Sequence, residues 1–386
     1  MPDIHATLSA SGAERWLNCP GSIAITKDMP DMTSPHAEEG TLAHAIAELR
    51  LRKHFLEPMG KATFTRRMNK LKAKPGFATE MLGYTEDYLD YIVEVANSFK
   101  SEPLVLAEEK VDFSGTVPGG FGTADCILIQ DSTLYVIDFK YGKGVSVSAE
   151  ENPQLKLYAL GALYKYSWLY NIKNVHLVVF QPRNGGVNEW ETSEEALINW
   201  ATFTVKPIAE RAAAGVEEHS SGEWCRFCKA KATCRTRAEN DVSAIEYFGG
   251  RLPPLLTDEE VGQMLHRVAK LKNYIKAVEE YAESQMLAGK DIPGWKLVEG
   301  RKTRAFTDME EAFKALSENG VEESLLWKRT PLTLAQIEKD IGKKRFGEII
   351  GNQVIKLPGK PTVAPESDPR EVFGKNQIEE DFKKLN

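Results

Sequence analysis

The sequence of 386 residues contains no run of about 18 apolar residues, the length that a helix needs to cross a bilayer. Its first residues, Met1 to Ala6, lack the basic and apolar regions of a secretory signal peptide. The five cysteines are odd in number and unevenly spaced, which argues against the disulfide framework of a small secreted protein. We therefore expect a cytosolic protein without a membrane partner, whose cysteines bind metal or lie buried.

The chain also lacks an excess of positive charge and any internal repeat. Its formal net charge is −7, which gives no overall attraction to nucleic acid. The 42% of hydrophobic residues and 9% of aromatic residues are typical of a folded globular protein, and the length allows two or three domains. Any attraction to DNA must then come from local clusters of charge.

The order of the predicted elements indicates an α/β core with a mixed sheet. A break in composition at 249–254 separates a core of residues 1–240 from a small α+β accessory region, 250–357, and from an extended or partly disordered tail, 358–386. Helices are expected at about 9–19, 36–55, 80–99, 150–166, 192–214 and 257–287, strands at about 104–111 and 175–181, and a hairpin between 122 and 140.

The most informative feature is a pair of acids followed by a lysine: Gly122-Thr-Ala-Asp125, then Asp138-Phe139-Lys140. Both segments lie in runs rich in β-branched and aromatic residues, which predict a hairpin. Because side chains alternate along a strand, Asp138 and Lys140 leave one face and Phe139 points into a core. We expect Asp125 and Asp138, with the Phe139 carbonyl, to bind Mg²⁺ or Mn²⁺, and Lys140 to assist phosphodiester hydrolysis. An ordinary charged hairpin is the alternative.

Two predicted helices carry further candidate residues. Gln154 and Tyr158 are four apart on the helix after the hairpin, so they project together toward it; a core tyrosine and a surface glutamine are the alternative. His44 shares a helix face with Gly40, which would let another backbone or a nucleic-acid strand approach. A single histidine on a helix is otherwise more often a packed or surface residue.

The cysteines form one pair in C-x2-C spacing and three single residues. Cys225, Cys228 and Cys234 need a fourth ligand to hold a metal, and the distant Cys19, at the end of a predicted helix, could supply it. The spacing fits an iron–sulfur cluster held by four cysteines and a structural zinc site equally. Cys126 lies inside a predicted strand and is most simply a small buried hydrophobic residue.

Positive charge is concentrated in two segments. Residues 60–76 carry six basic residues and no acid, and five more basic residues surround the three downstream cysteines. A solvated loop is the usual interpretation of the first segment, but its position after the His44 helix makes a DNA-contacting loop plausible. The residues are Lys61, Arg66, Arg67, Lys70, Lys72 and Lys74, then Arg226, Lys229, Lys231, Arg235 and Arg237.

These motifs together resemble the PD-(D/E)xK nuclease superfamily, specifically its RecB-like exonuclease branch. The matching residues occur in order: His44 in G-T-L-A-H, Asp125 in G-x-x-D, Asp138-Phe-Lys140, and Gln154-Leu-Lys-Leu-Tyr158. The cysteines are similar in arrangement to those of AddB-type and CRISPR-adaptation nucleases, in which a [4Fe-4S] cluster clasps the two ends of the domain. Segments at 11–22, 294–296 and 359–362 also resemble a phage and prophage family of exonucleases.

The resemblance covers about residues 9–237 and implies a restriction-endonuclease-like mixed sheet flanked by helices. It implies that His44, Asp125 and Asp138 bind the metal, that Lys140 is the catalytic lysine, and that Gln154 and Tyr158 contact DNA. Many relatives have glutamate where this chain has Asp138, although aspartate also occurs.

The implied function is that of a Mg²⁺- or Mn²⁺-dependent DNA exonuclease in the cytoplasm of a bacterial host. It would process DNA ends in phage recombination or repair, with a single-strand annealing protein as a partner. Its [4Fe-4S] cluster would be held by Cys19, Cys225, Cys228 and Cys234. The alternatives are a nuclease with zinc at these cysteines and a non-catalytic DNA-binding or assembly protein on the same fold.

Overall fold

The computed structural model describes residues 6–30, 35–144, 146–184, 186–246 and 257–296, and the isolated residues 314, 317, 318 and 342. Its strands are β1 (Leu104–Asp112), β2 (Phe121–Gln130), β3 (Thr133–Phe139), β4 (Asn174–Gln181) and β5 (Gly186–Ser193). The α-helices are α1 (Ala13–Asn18), α2 (Ser22–Thr26), α3 (Pro35–Leu51), α4 (Lys61–Lys72), α5 (Glu80–Ser98), α6 (Pro153–Tyr166), α7 (Glu194–Trp200), α8 (Lys206–Ala213), α9 (Arg235–Glu246) and α10 (Asp258–Leu287).

The five strands form one mixed sheet in the order β1-β2-β3-β4-β5. The pair β3–β4 is parallel, because α6 crosses over between them, and the other three pairs are antiparallel. The predicted α/β core with a mixed sheet is therefore confirmed. The edge strand β5 was missed by the sequence analysis: its residues are mostly exposed and lack the apolar alternation of a half-buried strand.

The hairpin between β2 and β3 closes on Asp131 and Ser132, between the paired residues Gln130 and Thr133. Asp131 has a φ of 52°, in the left-handed region that aspartate tolerates better than most residues. Because two-residue loops fix the register of a hairpin, this turn sets which residues of β2 and β3 face each other. The predicted hairpin is present with the expected turn.

Both faces of the sheet are buried. On one face, α6 packs against residues such as Ile127, Leu134 and Val136, together with the fully buried Trp16. On the other face, α3 and α5 pack against alternate residues, including Leu128, Ile137 and Phe139. Because α3 and α6 cover opposite faces of the sheet, side chains from both helices can approach the same end of the central strands.

The basic segment 60–76 is not the loop that its charge suggested. Residues 61–72 form the helix α4, because Phe64, Met68 and Leu71 recur every three to four residues and pack against the core on the α3 side. All six basic residues of this segment remain exposed. The expectation of a basic loop is therefore wrong, and the segment is a basic helix packed on α3.

The helix α10 begins close to its predicted start, and a capping box holds its first turn. The amide N–H of Glu260 donates to Thr257 Oγ1 at 3.3 Å, and the amide N–H of Thr257 donates to Glu260 Oε2 at 3.0 Å. These two bonds satisfy amide groups that the first turn leaves without partners.

The chain divides into two compact units, Met1–Ser284 and Gln285–Asn386. Beyond residue 296, the predicted accessory region at 250–357 lies outside the described residues except for residues 314, 317, 318 and 342, and the predicted tail at 358–386 lies entirely outside them. The predicted domain boundaries thus stay predictions. Among the described residues, no helix combines the length and the apolar character that crossing a membrane requires.

Candidate active site

The pairing of β1 with β2 is interrupted at one position, where an acidic residue of β1 lies opposite an acidic residue of β2. Ala107 pairs with Cys126 and Glu109 with Ala124, so the register places Glu108 opposite Asp125. Glu108 has a φ of 51°, a left-handed conformation that is uncommon and strained for a residue other than glycine. Backbone strain of this kind concentrates at functional sites, and here it coincides with two neighbouring carboxylates.

Three of the site's side chains converge closely enough to share a metal ion. His44 Nδ1 lies 3.1 Å from Asp125 Oδ1, and ligand atoms of His44, Glu108 and Asp125 all lie within 4.8 Å of one another. The other oxygen of Asp125 accepts a hydrogen bond from the Phe139 amide at 2.7 Å. The carboxylate of Asp125 is therefore fixed by β3 on one side and by α3 on the other.

A second group of four residues adjoins these three on the α6 side. Gln154 Nε2 donates to Asp138 Oδ1 at 3.2 Å and to the Tyr158 hydroxyl at 3.1 Å, and Gln154 Oε1 accepts from Lys140 Nζ at 3.1 Å. Lys140 Nζ also lies 2.9 Å from Asp138 Oδ2. That contact is an ion pair by distance alone, because Asp138 Oδ2 is buried and accepts no hydrogen bond within the described residues.

The local sequence explains why α6 presents this pair of side chains. Asn152 caps the helix by accepting from the amides of Gln154 and Leu155 at 3.0 and 3.3 Å, and Pro153 occupies the first turn, where its missing N–H costs nothing. Gln154 therefore lies in the first turn and Tyr158 one turn later, on the same helix face.

Burial and crowded charge shift the pKa values of the site. Burial lowers the pKa of His44, but Asp125, Asp138 and Glu108 outweigh it and raise that pKa to about 9. Burial and the charge of Asp125 raise the pKa of Glu108 to about 7. Burial also raises the pKa of Asp138, against the opposing charge of Lys140. A raised pKa of this kind means that the positive charge near these carboxylates does not offset their burial and their mutual repulsion.

Asp125 and Lys140 keep their charge despite burial. Burial opposes ionisation of Asp125, but His44 and the Phe139 amide lower the pKa of its carboxyl. Burial likewise opposes the ammonium form of Lys140, but Asp138 raises its pKa. Lys140 is therefore protonated at neutral pH, and it is a source of positive charge rather than a general base.

The structure brings together all six side chains that the sequence analysis selected for catalysis, His44, Asp125, Asp138, Lys140, Gln154 and Tyr158. Asp138 does not belong to the group of three with ligand atoms within 4.8 Å, and Glu108 does. Glu108 was not among the residues predicted from the sequence. One feature of the sequence could have indicated Glu108. In the strand Leu104–Asp112, the consecutive acids Glu108 and Glu109 interrupt the alternation of apolar residues.

A family model described as "Protein of unknown function (DUF2800)" matches residues 5–371. The chain belongs to the DUF2800 family. One solved structure, "Crystal structure of SSO0001", is similar over 58% of this chain and 95% of that chain, with 15% sequence identity and a TM-score of 0.24. A likeness at this TM-score carries no argument about the fold or the function of the DUF2800 chain.

Four of the five cysteines of the DUF2800 chain line one small cavity: Cys19, Cys225, Cys228 and Cys234. The two distant segments are joined by hydrogen bonds, from the Gly21 amide to the Glu218 carbonyl at 2.9 Å and from Ser220 Oγ to the Asn18 carbonyl at 2.6 Å. Within the described ranges, no three cysteine sulfurs lie within 4.8 Å of one another.

The fifth cysteine, Cys126, is fully buried on the α3 face of the sheet, and burial raises the pKa of its thiol. The expectation of a small buried hydrophobic residue is confirmed.

Gly40 was expected to let either another backbone or a nucleic-acid strand approach, and of these the structure shows no close protein backbone. A Cβ added at Gly40 would meet nothing within 4 Å, so no described protein backbone approaches there and the space beside His44's helix is open. In the part of the chain that the structure describes, no hydrogen bond or ion pair links the basic residues of α4 to the carboxylates of the site. Their role in DNA binding stays a prediction.

A second group of potential metal ligands lies away from this site, on β4 and β5. His176 Nδ1 is 2.7 Å from Glu189 Oε1 and 3.6 Å from Glu191 Oε1, and the His176 ring stacks on Tyr135 with centroids 4.2 Å apart. Both glutamates are exposed. An exposed ion pair across two antiparallel strands accounts for this arrangement.

Proposed function

We propose that this DUF2800 protein is a divalent-metal-dependent DNA nuclease of the PD-(D/E)xK superfamily, in its RecB-like exonuclease branch. The observation that carries the proposal is the meeting of two groups of paired side chains on the hairpin, His44 with Asp125 and Asp138 with Lys140 and Gln154. An ordinary charged hairpin gives no reason for a histidine from α3 to bond one acid and a glutamine from α6 to bond the other.

The sheet supports the finer assignment of the fold. A mixed five-stranded sheet with helices on both faces is compatible with a restriction-endonuclease-like core. The acids lie at the end of an antiparallel hairpin, and the glutamine and tyrosine lie on the helix that crosses over to the next, parallel strand.

The residues present fit a hard divalent cation. Asp125 and Glu108 supply carboxylate oxygens beside the His44 imidazole, the ligand types that Mg²⁺ and Mn²⁺ accept, and the buried Asp138 Oδ2 lacks a hydrogen bond. When bound by His44, Glu108, Asp125 and Asp138, such an ion would supply the Lewis acid that hydrolysis of a phosphodiester requires.

Three side chains of the protein would assist the reaction by supplying positive charge and by positioning one another. Lys140 holds a positive charge beside Asp138 and is 29% exposed, so its ammonium can face the phosphate oxygens of a substrate, where negative charge develops in the transition state. Gln154 holds Lys140 and Asp138 in fixed positions through one amide group. Tyr158 anchors Gln154 from the helix.

We also propose that Cys19, Cys225, Cys228 and Cys234 hold a [4Fe-4S] cluster that clasps the two ends of the nuclease core. The four thiols share one cavity, and thiolates are ligands both of iron–sulfur clusters and of structural zinc. The preference for a cluster over zinc rests on the resemblance to AddB-type nucleases.

The biological setting of the proposal rests on the resemblance alone. A nuclease of this branch would shorten DNA ends in phage recombination or repair inside a bacterial host, and a single-strand annealing protein would bind the strand that it exposes.

The test is cleavage of end-labelled linear and closed circular DNA by anaerobically prepared protein with Mg²⁺, Mn²⁺ or EDTA. We expect metal-dependent loss of linear DNA only, and no cleavage by Lys140→Ala. Lys173→Ala is the matched control, because Lys173 is exposed and pairs with Glu194 away from the site. No cleavage by cofactor-loaded parent protein would instead favour a non-catalytic DNA-binding or assembly role.

A further inference from the structure

A polar cavity of about 240 Å³ lies between the cysteine segment and α10. One wall carries Arg226, Lys231 and Arg237, and the opposite wall carries Lys270, Asn273 and Lys276 of α10. We call this space the α10 cavity. It is separate from the catalytic carboxylates, none of which lines it, and the nuclease motifs do not account for it.

The wall on the cysteine side is held rigidly. Arg237 Nε pairs with Asp241 Oδ2 at 3.2 Å, and both side chains are less than a tenth exposed. Arg237 Nη1 donates to the Lys231 carbonyl at 3.1 Å, and its guanidinium lies 5.2 Å from the centre of the Tyr274 ring of α10. These contacts fix a buried cation and connect the cysteine segment to α10.

The acids of the cavity do not neutralise its basic residues. Besides Asp241, two acids line it: Glu223, 3.6 Å from Lys270, and Glu280, 3.7 Å from Lys276. These two pairs are long and solvent-exposed, so each contributes little and is easily replaced by a better partner for the lysine. The cavity therefore has five basic residues facing three acids, all of which are already engaged.

Two of its cations lack an acidic partner. Among the residues that the structure describes, neither Arg226 nor Lys231 makes an ion pair, and Lys231 is half-buried. A half-buried ammonium without a counter-charge loses hydration without compensation, and an oxyanion beside it would restore charge-assisted hydrogen bonds.

We propose that the α10 cavity binds a phosphate group of a DNA strand, as a second point of contact away from the cleavage site. This inference rests on the proposed nuclease function and deepens it. Arginine, lysine and asparagine side chains are the usual donors to the phosphates of nucleic acid, and the space is smaller than the roughly 300–1,000 Å³ typical of pockets for drug-sized ligands. A phosphate with its sugar suits both the charge and the size.

The cysteine site would organise this contact. Lys231 and Arg237 line both the α10 cavity and the smaller cavity formed by the four cysteines. Whatever fixes the cysteine segment thus also fixes one wall of the phosphate site.

The test is fluorescence anisotropy of a labelled oligonucleotide duplex in EDTA, at several salt concentrations. The double variant Arg226→Gln/Lys231→Gln should bind more weakly, and the slope of log affinity against log salt should fall by about 1 for each phosphate that the variant no longer neutralises. Lys173→Gln, which removes one positive charge away from the cavity, should bind like the parent. Circular dichroism establishes that each variant is folded.

A folded double variant with the affinity and salt slope of the parent would overturn the proposal. Binding of thymidine monophosphate that the double variant loses, with no binding of the oligonucleotide, would indicate a free-nucleotide site and would overturn it as well. Failure here is distinguishable from failure of the nuclease proposal, because metal-dependent cleavage that Lys140→Ala abolishes would persist in the first case and be absent in the second.

Discussion

The close packing of Gly122 against Tyr158 makes Gly122→Ala a sharp test of how the site is held. A Cβ at Gly122 would lie 2.6 Å from Tyr158 Cε1 and 3.4 Å from Tyr158 Cδ1. Carbon atoms in contact stand about 3.5–4.0 Å apart, so the ring must move by about 1 Å. The ring is buried in the core, where overpacking costs about 1–3 kcal/mol.

Movement of Tyr158 would also displace residues of the proposed catalytic site. Its hydroxyl accepts from Gln154 Nε2, and Gln154 in turn bonds Asp138 and Lys140. A misplacement of about 1 Å can cost about a hundredfold in rate. We expect Gly122→Ala to lower the free energy of unfolding by about 1–3 kcal/mol and to slow DNA cleavage by about 10- to 100-fold.

The assays are urea denaturation and the initial rate of cleavage, with Gly83→Ala as the matched control. A Cβ at Gly83, on the exposed face of α5, would meet nothing within 4 Å, so this change should stabilise by about 0.5–1 kcal/mol and leave cleavage unchanged. In a Tyr158→Ala background, Gly122→Ala should cost little, because the clash is gone. Parent-like stability and cleavage in Gly122→Ala would refute the reasoning.

Three further predictions concern the ligands and the charges of the site. Glu108→Gln should weaken Mn²⁺ binding, measured by calorimetry, by about tenfold or more, and unchanged affinity would remove Glu108 from the site. Cys228→Ala should lose the visible absorbance of the cluster and melt at a lower temperature, since a bound cluster joining residues 19 and 234 closes a long loop; an equal melting temperature would contradict the clasp. In EDTA, His44 has a pKa of about 9 in the folded protein against about 6.5 unfolded, so its contribution to stability is complete below pH 6.5 and is lost as the pH rises through 9. The difference in melting temperature between the parent and His44→Gln should therefore shrink over that window, and a difference that grows with pH would show the opposite sign of shift.

Local patterns were sufficient for the hairpin and for the helix that follows it. The turn at Asp131, the alternation around Asp138 and Lys140, and the spacing of Gln154 and Tyr158 are properties of short segments, and the structure reproduces each of them. The helix α4 was mistaken for a loop because its charge received more weight than the spacing of its apolar residues.

Features that depend on distant pairing could not be read from the sequence. The edge strand β5 is defined by its pairing with β4 rather than by its own apolar residues. Glu108 becomes a potential ligand only because the register places it opposite Asp125 with a positive φ. The meeting of Cys19 with the cysteines some 200 residues later was expected from the need for a fourth ligand, and the hydrogen bonds around Ser220 hold the two segments together.

The central claim is that the carboxylates at the open end of the β2–β3 hairpin support metal-dependent hydrolysis of DNA. The most direct test is the single-turnover cleavage of an end-labelled linear duplex in Mn²⁺ by Asp125→Asn, which keeps the shape of the side chain and an acceptor for the Phe139 amide. Asp131→Asn, the same change in the exposed hairpin turn, is the control. We predict that Asp125→Asn stays folded and cleaves about a hundredfold more slowly or not at all, while the control cleaves like the parent. Parent-like cleavage by Asp125→Asn would contradict the account.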